Sequence, residues 1–365
     1  MCNLAYLCTQ SKRIKKMNKL QKNGYFAAAS ACILLIIALV FYYFFTSFSS
    51  KAVTVHIYID NDDNIDSVLS RLTPVADKHS LHGFRTLVRH SNYTQNIRTG
   101  RYDIKPGDAT FSVFRRLKNG LQTPVDLTVV SVRTVDRLAG ELSKHLMVDS
   151  AALSKAFHDQ TTCQRYGYDT ATIAALFIPN TYAVYWNTSV DKLMERMKKE
   201  NEIFWKNNDR TEKARRLHLS TVEVSTLASI IDEETANDNE KPMIAGMYYN
   251  RLTLRSAEYP AGMPLQADPT VKFAAKQFEL RRIYNKLLRV KNPYNTYVYT
   301  GLPPGPIRIA SVSGIDAVLD MVHHDYLYMC AKEDFSGTHN FSRTYQEHLA
   351  NAAKYSAALN SRGIK

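Results

Sequence analysis

Along this chain the hydrophobic and polar positions change period repeatedly, and each period predicts an element. Residues 25–48 (YFAAASACILLIIALVFYYFFTSF) carry no charge, and about 20 apolar residues suffice for a helix to span a bilayer. Residues 53–60 alternate as a half-buried strand does. Residues 65–72 read as a short amphipathic helix behind an Asn/Asp-rich turn. Residues 100–107 (GRYDIKPG) predict a strand and turn, 111–117 a helix ending at Gly120, and 124–132 another strand. Helical spacing returns over 134–146, 150–158, 190–207, 241–252 and 344–361. The segment 177–186 (FIPNTYAVYW) is a run of aromatics after a proline. Phe177 reads as core, while Tyr182 and Trp186 suit either a core or a sugar-stacking surface.

One stretch combines a helix start with a row of acids. Ser220 can accept from the first free amides, and Glu223 three residues on can reach back, which is a capping box. Val224, Leu227, Ala228 and Ile231 recur at helical spacing and form one apolar stripe. Asp232, Glu233 and Glu234 follow. At about 100° per residue they cannot share an environment. Glu233 falls nearly opposite the stripe and is expected in solvent. Asp232 lies on a flank. Glu234 continues the stripe, where partial desolvation favours the neutral acid and raises its pKa. A general acid working near neutral pH needs that. Periodicity alone also admits a helix end with ordinary surface acids.

The expected fold class is α+β: an N-terminal transmembrane helix, a small β/α module and a larger mixed α+β domain. The expected boundaries are a basic tail at 1–24, the span at 25–48, the module at 52–132 and the larger domain at 133–365. A chain of 365 residues is ample for more than one core.

Charge refines this reading. The formal net charge is +13, and six of those charges (Lys12, Arg13, Lys15, Lys16, Lys19, Lys22) precede the apolar run with no acid among them. Only Lys51 stands just after the run. The positive-inside rule then places the N-terminus in the cytoplasm and everything beyond the span outside. A cleaved signal peptide has a shorter apolar core, and Tyr42, Tyr43, Phe44 and Phe45 suit an interfacial belt instead. Cys32 lies at the start of the run, which is unsuited to a lipoprotein. No nucleic-acid motif accompanies the basic charge, so nucleic acid is not an expected partner.

Five cysteines form no disulfide framework. Cys2 and Cys8 precede the span, Cys32 is within it, and Cys163 and Cys330 alone lie beyond; these two either pair or are buried singly. His323, His324 and Asp325 are adjacent rather than spaced for one face, so no metal and no cofactor is expected.

Several blocks recur in one order: LASIIDEET (Leu227 to Thr235), an acid at Glu240, YYNRL (Tyr248 to Leu252), MPLQADPTV (Met263 to Val271), YNTYVYTGLPPGPI (Tyr294 to Ile307) and THNFS (Thr338 to Ser342). In this the chain resembles the MltG (YceG-like) endolytic murein transglycosylases. The resemblance places the family's catalytic acid on Glu234, the residue that periodicity also singles out. It offers Asn250, Arg251, Gln266, Asp268, Thr270, Tyr294, Asn295, Thr296, Tyr297, Pro303, Pro304, Gly305 and His339 as substrate-binding positions. Arg251 also reads as a buried structural ion pair, and Asp268 as a helix N-cap. The family usually has Glu two residues before the catalytic acid. Here it is Asp232, with a shorter reach. The block at 100–107 resembles a LysM-like module, although the turn IDNDDN lacks the expected glycine. Glycan binding and a plain spacer both remain open for it.

The resemblance implies cleavage of the MurNAc–GlcNAc β-1,4 bond of peptidoglycan glycan strands without water. The expected setting is a bacterial cytoplasmic membrane, with the lipid bilayer contacted through 25–48 and the catalytic part on its outer side. Penicillin-binding proteins or other cell-wall synthesis enzymes are the implied neighbours. Two other readings are a hydrolytic muramidase using Glu234 and Asp268, and a non-catalytic, membrane-tethered peptidoglycan-binding protein. Intact Glu234 and complete blocks weigh against the last.

Overall fold

The computed structural model describes residues 3–280 and 283–362. Cys2 and the outermost positions of the tail and of the larger domain lie outside the described residues. The fold is mixed α+β, mostly helical, with small two-stranded sheets. It divides into two compact units: Met1–Pro124 with Tyr185–Asn187, and Val125–Val184 with Thr188–Lys365.

The first unit begins with helix α1 (Asn3–Phe44). From Lys22 to Phe44 this helix is long and apolar enough to cross a membrane, and it is exposed except at its last residues, where Tyr43 and Phe44 are partly covered. It ends short of residue 48, because Phe48 is needed elsewhere: its ring is fully buried in the core of the unit. The chain continues through β1 (Val55–Ile59), α2 (Ile65–Leu72), α3 (Lys78–Arg89), β2 (Gly100–Ile104) and α4 (Thr110–Asn119). Strands β1 and β2 pair antiparallel, with Ile57 opposite Tyr102, and send Ile57, Ile59, Tyr102 and Ile104 inward. Asn64 caps α2 by accepting from the amides of Asp66 and Ser67. Gly120 ends α4 at φ +67°, a left-handed conformation that favours glycine. Phe84, Tyr93 and Phe114 meet edge to face in the core. Helix α3 was not expected, because His79, His82 and Gly83 interrupt its apolar positions. Its inward residues Phe84 and Val88 still keep the helical period.

The second unit opens with β3 (Val125–Val129), which corrects the expectation that this strand closes the small module. It pairs with β4 (Asn180–Val184), Leu127 opposite Tyr182. The reason is apolar matching: Val125, Leu127 and Val129 are buried with Tyr182 and Val184. Phe177 is core as expected, and Tyr182 is buried, its hydroxyl donating to the Ile178 carbonyl. Trp186 belongs to the first unit, edge-on to Tyr58.

Next come α5 (Val135–Ser143), α6 (Ser150–His158), α7 (Gln160–Arg165), α8 (Val190–Lys206), α9 (Arg210–Arg216), α10 (Thr221–Glu234), α11 (Lys241–Thr253) and α12 (Asp268–Ala275). They are followed by α13 (Val312–Leu319), the hairpin β5 (Tyr328–Ala331) and β6 (His339–Ser342), and α14 (Tyr345–Ser361). Cys163 and Cys330 are free thiols.

Helix α10 is the axis of this unit. It carries the expected capping box between Ser220 and Glu223. Yet it is buried all round, not on one stripe: every residue from Val224 to Ile231 is buried. Its polar residues fit because their hydroxyls bond backward along the helix. Ser225 donates to Thr221 O, Thr226 to Val222 O and Ser229 to Thr226 O. Ser229 Oγ also accepts the Ile307 amide. Ser220→Ala removes the cap from this helix and is expected to cost about 1 kcal/mol of stability. Urea unfolding followed by circular dichroism checks it.

Candidate active site

The three acids at the end of α10 meet three different environments. Asp232 is almost fully buried. It accepts from the Ser311 amide and hydroxyl, each at 2.7 Å, and from Lys241 Nζ at 2.7 Å. Lys241 also reaches Asp238 at 2.8 Å. The shorter Asp232 is therefore fully engaged, at the N-terminal end of α13.

Glu233 is not in solvent, which corrects the expectation from periodicity. Arg133 Nε donates to it at 2.9 Å and Arg308 at 3.0 Å. Arg308 also donates to Asp232 O and to Ser131 O. Two arginines, from residues 133 and 308, fold over the helix end, where cations complement the dipole. Nothing local to α10 reveals them.

Glu234 Oε1 accepts the Tyr248 hydroxyl at 2.8 Å. Burial pushes the Glu234 carboxyl up to about 7 from its ordinary 4.5. The Tyr248 hydrogen bond favours the ionised form and opposes this, while the negative charge of Asp268 adds to it. Burial also raises the Tyr248 phenol far above its usual value, so it stays a donor.

Glu234 opens into a cleft of about 230 Å³. Met247, Tyr248 and Arg251 of α11 form one wall, and Leu265, Gln266 and Asp268 another. Tyr297 and the β5–β6 hairpin, through Met329, Cys330, Ala331 and His339, close the rest. Leu265 and Ala267 are buried, so alternation turns Gln266 and Asp268 outward. Gln266 sits at φ +51° with its amide on Thr296 O. Asp268 is the first residue of α12 and not its cap, which is Ala267. Its Oδ1 accepts the Tyr297 hydroxyl at 2.6 Å. His339 is held by the buried Glu240, which accepts its amide at 2.6 Å and its Nδ1 at 3.1 Å.

The expected binding residues thus separate. Glu234, Arg251, Gln266, Asp268, Tyr297 and His339 share the cleft. Arg251 makes no ion pair among the described residues: its guanidinium donates to Leu327 O, Pro264 O and Leu265 O, and burial lowers its pKa. Asn250 donates to His324 O and Tyr326 O, away from the cleft lining. Thr270 and Thr296 bond each other at 2.8 Å in the core. Asn295, fully buried, donates to Leu288 O and Val290 O. Tyr294 packs on Phe273 at 4.7 Å and lines a separate cavity. Pro303 and Gly305 are buried and Pro304 is exposed, and none lines the Glu234 cleft. Apart from the exposed Pro304, these residues spend polar atoms on hydrogen bonds within the protein or surface on packing.

Met247, Tyr248, Leu265, Met329, Cys330 and Ala331 are the cleft residues that sequence reasoning missed, and Glu240 stands behind the expected His339. Tyr248 lies fourteen residues after Glu234 and looks like an ordinary core aromatic. Its only signal is its place within YYNRL.

Residues 57–354 match the model of the YceG-like family. A protein of Bacillus subtilis named endolytic murein transglycosylase is 27% identical over 325 residues, covering 85% of this chain and 87% of that protein. One of Streptococcus pneumoniae with the same name is 25% identical over 338 residues, covering 84% of this chain. The chain spans only 59% of that relative's length. The crystal structure of a yceG-like protein from Listeria monocytogenes superposes with a TM-score of 0.51 at 25% identity, over 82% of this chain and 99% of the other.

The raised pKa of Glu234 has a consequence for stability. The unfolded carboxyl ionises near 4.5, the folded one near 7, so stability falls as pH rises between those values. The full loss is roughly 3 kcal/mol at about 1.4 kcal/mol per pKa unit. Glu234→Gln is expected to be more stable than the native chain by about that amount at pH 8, and equal to it near pH 4. Denaturant titrations at the two pH values check it. Tyr248→Phe, which deletes the donor, is expected to raise the Glu234 pKa further, as read by carbon-13 NMR titration of the carboxyl.

Proposed function

The chain belongs to the YceG-like family, and on that premise we propose that it is a membrane-anchored lytic transglycosylase of peptidoglycan. It cuts the MurNAc–GlcNAc β-1,4 bond within glycan strands and leaves 1,6-anhydro-MurNAc ends. The observation that carries this reading is the buried cleft carboxyl of Glu234, whose pKa of about 7 keeps a proton available near neutral pH.

Glu234, protonated and steadied by Tyr248, donates its proton to the glycosidic oxygen as the C1–O bond breaks. The departing GlcNAc leaves as the alcohol, and C1 becomes oxocarbenium-like. The muramic C6 hydroxyl then attacks C1, and ionised Glu234 takes the hydroxyl proton. The carboxyl ends as it began, and no water is consumed. The negative Asp268, held by the Tyr297 hydroxyl, stabilises positive charge across the cleft. Gln266 and His339 supply polar contacts to the sugars.

Helix α1 anchors the enzyme in the bacterial cytoplasmic membrane, with its N-terminus inside and both units outside. The unit built on β1 and β2 is LysM-like and contacts glycan or serves as a spacer. Glycan strands near the bilayer are the substrate, and penicillin-binding proteins or other cell-wall synthesis enzymes are the expected neighbours.

A second reading has one specific observation in its favour: Asp268 shares the cleft with Glu234 and is coupled to it electrostatically. As general base or nucleophile it would make a hydrolase. Mass spectrometry of products from intact peptidoglycan separates the two, as anhydro ends or reducing ends. Glu234→Gln is expected to lower turnover by roughly 10² to 10⁴ while substrate still sediments with the protein. The rate is expected to fall as pH rises through about 7, where the carboxyl loses its proton. Wild-type turnover in Glu234→Gln, or reducing-end products, contradicts the lytic assignment.

A further inference from the structure

The end of the apolar helix is built into the first unit and does not hang from it by a linker. The Tyr42 ring stacks on His79 at 4.4 Å and Tyr43 meets His82 at 5.6 Å, both on α3. Gly83 of α3 lies so close to the Tyr43 carbonyl that a Cβ there would collide with it. Immediately after the helix, Ser47 bridges Ala109, and the Phe48 amide donates to Asp108 O at 2.7 Å. The unit is therefore held at one height on α1.

Two features of the surface beside this junction point to one partner. The first is apolar. Phe41 stacks with Phe45 at 6.2 Å, and Phe45 meets Phe111 of α4 at 6.0 Å. Phe45 is 51% and Phe111 41% exposed, so the aromatic surface of the span continues onto the folded unit. The second is charge. Helices α3 and α4, the two packed on the end of α1, contain no acid. Lys78, His82, Arg85 and Arg89 recur at intervals of four, three and four residues, so they share one face of α3. His82 on that face touches Tyr43. Arg115 stands one turn after Phe111 on α4. Lys78, Arg85, Arg89 and Arg115 are exposed and form no ion pair among the described residues. The neighbouring acids are engaged, Asp77 by the Ser50 hydroxyl and Asp108 by Arg116.

We infer that this face of the first unit is seated on an anionic lipid surface, with Phe45 and Phe111 in the interface and Lys78, Arg85, Arg89 and Arg115 on lipid headgroups. The inference rests on the reading of α1 as a membrane span. Aromatic rings favour the interfacial layer, and cations near an anionic leaflet gain from its surface potential. The seat is continuous with the span and needs no other partner. It adds a second contact with the bilayer and holds the unit flat against it. These cations come from residues 78–115, too far along the chain to count as flanking charge.

Tryptophan fluorescence of the full chain tests this. The chain is placed in vesicles of brominated phosphatidylcholine and phosphatidylglycerol in equal parts, with the native chain and its own two tryptophans as baseline. Phe111→Trp is expected to emit toward the blue and to lose most of that emission to the brominated chains, as Phe41→Trp within the span does. Adding Lys78→Glu, Arg85→Glu, Arg89→Glu and Arg115→Glu is expected to restore the emission at 111 and leave the quenching at 41. If position 41 is quenched but 111 emits as in water, the face is free or covered by a protein, and the seat is overturned while the span stands. If the charge-reversed chain is quenched at 111 as strongly as its parent, headgroup attraction is overturned. If position 41 is not quenched either, the span reading fails and the seat fails with it.

Discussion

The second unit depends on one buried ion pair. Asp232 and Lys241 meet at 2.7 Å with their side chains 3% and 6% exposed. Charges that deep cost heavily unless every lone pair and proton is used. Here Asp232 takes two further bonds from Ser311, and Lys241 also reaches Ser313 and Asp238. The cluster ties the end of α10 to the start of α11 and the start of α13. Even Gly314 is drawn in, since a Cβ there would come within 2.7 Å of Asp232 Oδ1. Removing one partner of such a pair typically costs about 3–5 kcal/mol.

That anchorage sets the direction of the next two residues. With Asp232 turned into the packing, Glu233 faces Arg133 and Arg308, and Glu234 faces α11. Three consecutive carboxyls meet three different surroundings. Two are held by cations. The third is desolvated beside a neutral phenol and a nearby negative charge, which drives it toward the neutral acid. Burial is the largest cause, and the attraction of Lys272 offsets it only in part.

The cleft is assembled from segments that are individually rigid. Arg251 spends its guanidinium on carbonyls of 264, 265 and 327, which binds the α11 wall to the loop before α12 and to the hairpin. Thr270, Thr296 and Asn295 do the same for the loop carrying Tyr297. The polar residues exposed to the cleft are few because most polar atoms of these segments hold backbone in place.

Much of this was legible in the chain by itself. The uncharged run at 25–48 and the capping box at Ser220 are local patterns with local causes, and both elements form. The ordered blocks from Leu227 to Ser342 pointed to the family, and periodicity picked Glu234 because an acid on an apolar stripe is desolvated whatever covers the stripe. Other features had no local cause. Glu233 looked solvated because the arginines that hold it lie far away in sequence, Arg133 100 residues before it and Arg308 75 residues after it. Strand β3 left the small module because its partner β4 was the better apolar match. Tyr248 and the β5–β6 hairpin became part of the cleft only through packing of distant segments. The sequence by itself determined the apolar run, the capped start of α10 and which acid continues its apolar positions. Tertiary structure decided which charges meet, because pairing and desolvation depend on distances that only the folded chain creates.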